Sequence, residues 1–204
     1  MEVDRIGIAG CAVAIVVVGA ASAGCGGADK ASPPSASSTA ATSTSTSVVT
    51  GPPSALPSDY GSLLIKPNDV GGGLTAPQSP MLNPNNAPGV AQLFANADSS
   101  RRLWDTITVA ADPSAAAAEL ASTQGGYNGK VTGNWQPLAV GAHGVTISGA
   151  SPDNSQATTV LVFTEGKALV TLEFDSAPTD PIDPTAALEI ARKQDAAVKS
   201  GLPG

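Results

Sequence analysis

"QATTVLVFTEGKALVTLEFDS", residues 156–176, contains two arms rich in β-branched and aromatic residues around the polar group Thr164-Glu165-Gly166-Lys167. Val160 and Val162 share one face of the first arm, and Val170, Leu172 and Phe174 share one face of the second. Gly166 can supply the positive φ that a type I turn with a bulge demands, so the stretch reads as an antiparallel hairpin. A hairpin alone is barely stable in water, so this one requires further strands and a covering layer.

The flanking sequence provides both. Downstream, Asp183-Pro184 gives an N-cap and a first-turn proline to "TAALEIARKQDAAVKS", which stops at Gly201 before Pro203. Ala187, Ile190, Ala191, Ala197 and Val198 form one apolar stripe on that helix, and a stripe of this kind must be buried on the sheet. Upstream, residues 89–97 and 103–112 read as strands, with Ile107, Val109 and Ala111 alternating against Thr106, Thr108 and Ala110. "DSSR" between them makes a second hairpin. Asp112-Pro113 opens a helix through "SAAAAELAST" that the Gly125-Gly126 pair should end. "KVTGNWQPLAV" and "HGVTISGAS" add two short strands, and "LLIKPNDVGGG" holds a turn or a single helical turn. With hairpin connections throughout and no βαβ rhythm, the fold class is α+β: an antiparallel β-sheet with helices packed on it.

Residues 59–204 make one domain of ordinary size, without a single cysteine, so its stability does not depend on disulfides. Eight Lys/Arg stand against fourteen Asp/Glu, scattered along the domain. That balance excludes nucleic acid as a partner and leaves no polybasic patch for anionic lipid.

The chain before residue 59 differs in kind. Ile6 to Ala23 is 18 residues without a charge, at the lower limit for a membrane span and equally suited to a secretion signal. Small residues, Ala20 to Gly24, then precede Cys25. Ser22-Ala23-Gly24-Cys25 resembles a bacterial lipobox, in which the cysteine is diacylated and the peptide cleaved before it. Ile8-Ala9-Gly10-Cys11 fits the consensus letters, but its apolar run follows the cysteine instead of leading to it. The expected organisation is a lipoprotein signal peptide at 1–24, a lipidated Cys25 with a disordered Ser/Thr/Pro/Ala tether through residue 58, and the domain at 59–204. The alternative keeps Ile6–Ala23 attached as a spanning anchor. The tether is too poor in large apolar side chains to fold, and as a flexible chain it would span roughly 30 Å.

This order of signal, cysteine and tether resembles an actinobacterial, especially mycobacterial, envelope lipoprotein. The domain, with its Asp-Pro helix start after the second strand and its "VLVFTEGKALVTLEF" hairpin before the last helix, resembles the PsbP/Mog1-like sandwich of the LpqN and LpqT type. A second resemblance, through the Leu-Leu-Ile segment, is to the extracellular sensor domain of mycobacterial receptor kinases, which usually carries disulfides. Neither resemblance brings catalytic residues that map onto this sequence. Both imply attachment at the extracytoplasmic face of the cell membrane.

Candidate chemistry is sparse. His143, the only histidine, reads as a solvated residue in a loop before a strand, and no G-x-S-x-G elbow accompanies it. Glu173, Asp175, Asp180 and Asp183 form an acidic run that strand end, turn and helix start explain better than calcium does. Phe94, Trp104, Tyr127 and Trp135 are expected in the core in preference to a pocket. No catalytic residue, metal or cofactor is expected. The favoured reading is a non-enzymatic binding or adaptor domain for an envelope protein or an apolar, lipid ligand. The alternative is a hydrolase or transferase of envelope polymers, which needs a cleft with paired carboxyls.

Overall fold

The computed structural model of the chain describes residues 59–202; the expected signal, Cys25 and tether lie outside the described residues. A 3-10 turn (Gly61–Leu63) and a single helical turn, α1 (Pro67–Val70), lead to the short edge strand β1 (Met81–Leu82). Next come β2 (Gly89–Ala95), β3 (Arg102–Val109), helix α2 (Pro113–Tyr127) and β4 (Gln136–Pro137). Then follow β5 (Ala142–Ala150), β6 (Ala157–Glu165), β7 (Ala168–Ser176) and the closing helix α3 (Pro184–Gly201). The seven strands form one antiparallel sheet in the order β1-β2-β3-β7-β6-β5-β4. After β3 the chain crosses by way of α2 to the far edge and returns strand by strand, so β7 closes beside β3 at the centre.

The β6–β7 hairpin forms as its residues require, except at the turn. Glu165 pairs with Ala168, which leaves a two-residue loop of Gly166 and Lys167. Gly166 has φ 54° and Lys167 is not in the positive-φ region. This is the sign pattern of a type II′ turn, which matches strand twist without a bulge. Both faces of the hairpin are buried. Leu161 and Phe163 face the same way as Val170, Leu172 and Phe174, in one cluster with Ala187, Ile190, Ala191 and Val198 of α3. Val160 and Val162 point the other way, clustering with Ile147 and with Leu120 of α2. The two helices therefore lie on opposite faces, and the sheet is the middle of three layers.

Both helices begin where their sequence dictates. The Asp112 carboxylate accepts from Ala115 N–H, and that of Asp183 accepts from Thr185 and Ala186 N–H. α2 ends later than its glycines imply. It continues through Gly125 and Gly126 to Tyr127, whose hydroxyl donates to Glu173 Oε2 at 2.6 Å and whose ring stands edge-on to Trp135. These tertiary contacts hold the last turn against the glycines. The expected strand across "KVTGNWQPLAV" shrinks to β4, because Pro137 has no N–H for the ladder and pairing stops after two residues. Ala111, expected in phase with Val109, lies beyond β3 and is exposed.

One polar residue of α3 is fully buried. Gln194 accepts from Ile65 N–H through Oε1 at 3.0 Å and donates from Nε2 to Leu63 O at 2.7 Å, fastening the first turns of the domain to the helix. Gln194→Leu keeps the volume but orphans a backbone donor and a backbone acceptor. It should cost about 2 kcal/mol, with the loss concentrated in residues 60–66. Urea unfolding together with amide exchange of Ile65 checks this; unchanged protection there would show that the tie is not needed.

Candidate functional site

Three segments distant in sequence meet at one end of the sheet around a cleft of about 360 Å³. The end of α1 and the loop after it contribute Val70, Gly71, Gly72 and Leu74, and the approach to β3 contributes Arg101 and Arg102. The remainder, from Phe174 at the end of β7 to Ile190 in α3, supplies the floor and far wall. Val70, Leu74, Phe174, Ile182 and Ile190 make the interior apolar, and Gly71 and Gly72 form a rim of bare backbone at φ 70° and 61°. Glycine adopts that conformation at no steric cost.

One ion pair stands at the mouth, and a second lies on the α2 face of the same strand ends. Arg101 binds Asp180 with Nε at 2.8 Å and with Nη2. This pairing holds the Asp180 carboxyl below the usual carboxylate range and raises the guanidinium's own pKa. Arg102 lies directly across from Asp175 in the β3–β7 ladder, and Thr158 lies across from Asp175 on its other side. Arg102 Nη2 reaches Asp175 Oδ2 at 3.3 Å, while Thr158 Oγ1 donates to Asp175 Oδ1 at 3.0 Å. The acidic run of the sequence therefore divides by position. Asp175 ends a strand, Asp180 pairs in the loop, Asp183 caps α3, and Glu173 is turned away under Tyr127.

The other singled-out residues lie elsewhere. His143 is exposed as expected, but inside β5, where the register shifts between Ala142 and Val145 and its φ is 56°. It occupies a β-bulge and not a loop. Phe94 is core, whereas Trp104, Tyr127 and Trp135 are half-buried on the α2 side of the sheet. Burial and the bond to Glu173 push the Tyr127 hydroxyl's pKa upward. Among the described residues no group of three His, Cys, Asp or Glu side chains is placed to hold a metal ion. No helix among them is long and apolar enough to cross a membrane.

Sequence reasoning missed two features. One is the Arg101-Arg102 pair, whose partners lie 79 and 73 residues away. The other is Asp105, fully buried in β3 with neither carboxyl oxygen hydrogen-bonded. Burial raises its pKa well above the ordinary range. A signal for it existed, since Asp105 is in phase with Ile107 and Val109 on the face that the alternation assigns to the core.

Fold and site define the class: an α+β domain with an antiparallel sheet between two helices and an apolar cleft with one ion pair, Arg101–Asp180, at its mouth. No protein-family model matches the chain, and no curated protein matches it. Among solved structures it is similar to the extracellular domain of PknH from Mycobacterium tuberculosis, at 9% identity and a TM-score of 0.39. The match covers 54% of this chain and 63% of that one, so the chain spans less than two thirds of the neighbour's length. A likeness of that size assigns neither of the two resemblances drawn from the sequence.

Proposed function

We propose that the chain is an envelope lipoprotein whose domain binds a ligand in the cleft without transforming it. In this reading residues 1–24 are a removed signal, Cys25 carries the diglyceride, and the stretch to residue 58 is a tether that holds the domain off the extracytoplasmic face of the membrane. The domain is a PsbP/Mog1-like sandwich of the LpqN and LpqT type. The cleft carries the proposal: it lies within the volume range of small-ligand sites, is apolar within and polar at its mouth. Its carboxylates are committed, because Asp180 is paired with Arg101 and Asp183 caps α3. A hydrolase would need a raised carboxyl facing a second acid. The carboxyl that burial raises, Asp105, is not among the residues lining the cleft.

The test is mass spectrometry of the full chain purified from an actinobacterial host. The expected intact species starts at Cys25 with added acyl mass, and organic extraction releases a further, non-covalent lipid. Cys25→Ala should lose the acyl mass and accumulate as precursor, since two or three acyl chains at ~0.8 kcal/mol per buried CH₂ provide the attachment. A wild-type species beginning at Met1 without acyl mass sinks the anchor. A correctly acylated protein that yields no extractable ligand counts against the binding role.

A further inference from the structure

The ends of β5, β6 and β7 present one continuous floor on the α3 face. Phe174 and Ser176 lie directly across from Thr159 and Ala157, which in turn lie across from Ser148 and Ala150. Phe174 belongs to the cluster that α3 covers, so these partners share that face. Residues 177–182 cross the floor between β7 and α3 and divide the space above it. The cleft lies on one side, and hollows of about 390 Å³ and 190 Å³ lie on the other. Pro181 walls both the cleft and the larger hollow, and Ile182 walls both the cleft and the smaller one. We propose, resting on the reading of the cleft as a ligand site, that residues 177–182 are a strap that lifts to admit the ligand, with the Arg101–Asp180 ion pair as its latch. The strap is lightly attached. Its one backbone hydrogen bond among the described residues, from Asp180 N–H to Ala177 O, is internal. Ile182 packs half-buried against the core, and Asp180 is tied to Arg101 through both carboxyl oxygens. Residues 177–181 are otherwise exposed, and a segment with so few buried contacts opens at low cost. Pro178 and Pro181 fix φ within it, so it swings as a unit. An exposed ion pair is weak and screened by salt, which suits a latch that must open. With the strap raised, cleft and hollows join over the shared floor.

Ser176→Cys in the full chain reports the opening, because Ser176 is buried on the cleft floor and residues 59–204 contain no cysteine. Its labelling by iodoacetamide, a small uncharged reagent, is followed at that residue by peptide mass spectrometry. Adding Arg101→Gln or Asp180→Asn should raise the labelling rate about threefold, the worth of one exposed ion pair. Added salt should speed labelling while the latch is intact and have no effect once it is removed. Val162→Cys, at a completely buried site on the α2 face, should label at a rate that neither latch substitution changes, which separates lifting of the strap from general loosening of the fold. Decanol, filling the cleft, should slow labelling of Ser176→Cys. Rates unchanged by loss of the latch, or raised equally at residue 162, overturn the strap while the cleft reading stands. Faster labelling of the latch variants with no slowing by decanol removes the cleft reading, and the strap's role in admitting a ligand with it.

Discussion

Asp105→Asn should make the domain more stable than wild type at pH 7, with a gain that shrinks to almost nothing at pH 4. Few single substitutions at fully buried polar positions stabilise, so the sign is a strong test. In the native sheet Asp105 pairs laterally with Gln92 of β2 and Leu172 of β7, on the face shared with Leu103 and Ile107. None of these neighbours is titratable or charged. Neither carboxyl oxygen has a hydrogen-bond partner. Ionisation there would bury a bare charge, so the folded form keeps its proton where the unfolded chain, with an ordinary carboxylate pKa, releases it.

The sign follows from that difference. Below about pH 4 both states are protonated and the group costs nothing extra. As pH rises, the unfolded state is favoured by up to about 1.4 kcal/mol per unit, until the raised folded pKa is passed. Asparagine cannot ionise and removes the slope while keeping the shape. Asp180 acts in the opposite sense, because its lowered pKa contributes stability that is lost on acidification. It does so in both proteins and cancels in the comparison. Urea unfolding between pH 4 and pH 8 reads the effect; parallel profiles for the two proteins would show that Asp105 ionises freely and is not buried as described.

Asp105 also marks where the sequence stops being legible. Elements set by neighbours in the chain are readable: the Asp-Pro helix starts, the two central hairpins and the stripe on α3 all depend on residues a few positions apart. The end of α2 was misjudged because Tyr127 is held by Glu173 and Trp135, partners that no local rule supplies. The cleft was invisible for the same reason on a larger scale. Arg101 and Arg102 look like a solvated turn until antiparallel pairing of β3 with β7 brings Asp175 opposite Arg102. Gln194 lies in phase with Ala187, Ala191 and Val198 but carries no apolar signal that would assign it to the core. The structure buries Gln194 because two backbone groups of the N-terminal turns need a partner.

Phe163→Ala is the other substitution expected to have a large effect, at about 3–5 kcal/mol, against a total of 5–15 kcal/mol for a domain of this kind. Phe163 is completely buried, lies beside Val170 in the β6–β7 ladder, and belongs to the cluster that α3 covers. Truncation removes the ring's transfer energy and leaves a cavity that a three-layer stack cannot collapse into without shifting α3 or the sheet. Its neighbour Val162 is equally buried but faces α2, in the cluster of Leu120, Ile147 and Val160. Val162→Ala should cost about half as much, because fewer methyl groups are lost. This ordering tests register. With both faces of β6 buried, contrast with solvent does not fix the pairing; the aromatic and Leu161 must fall on the α3 side and the valines on the α2 side. A slip of one residue would exchange the two sets. Chemical denaturation of both variants gives the comparison. Equal losses at Phe163 and Val162 would mean that the two faces are not distinguished as the described register requires.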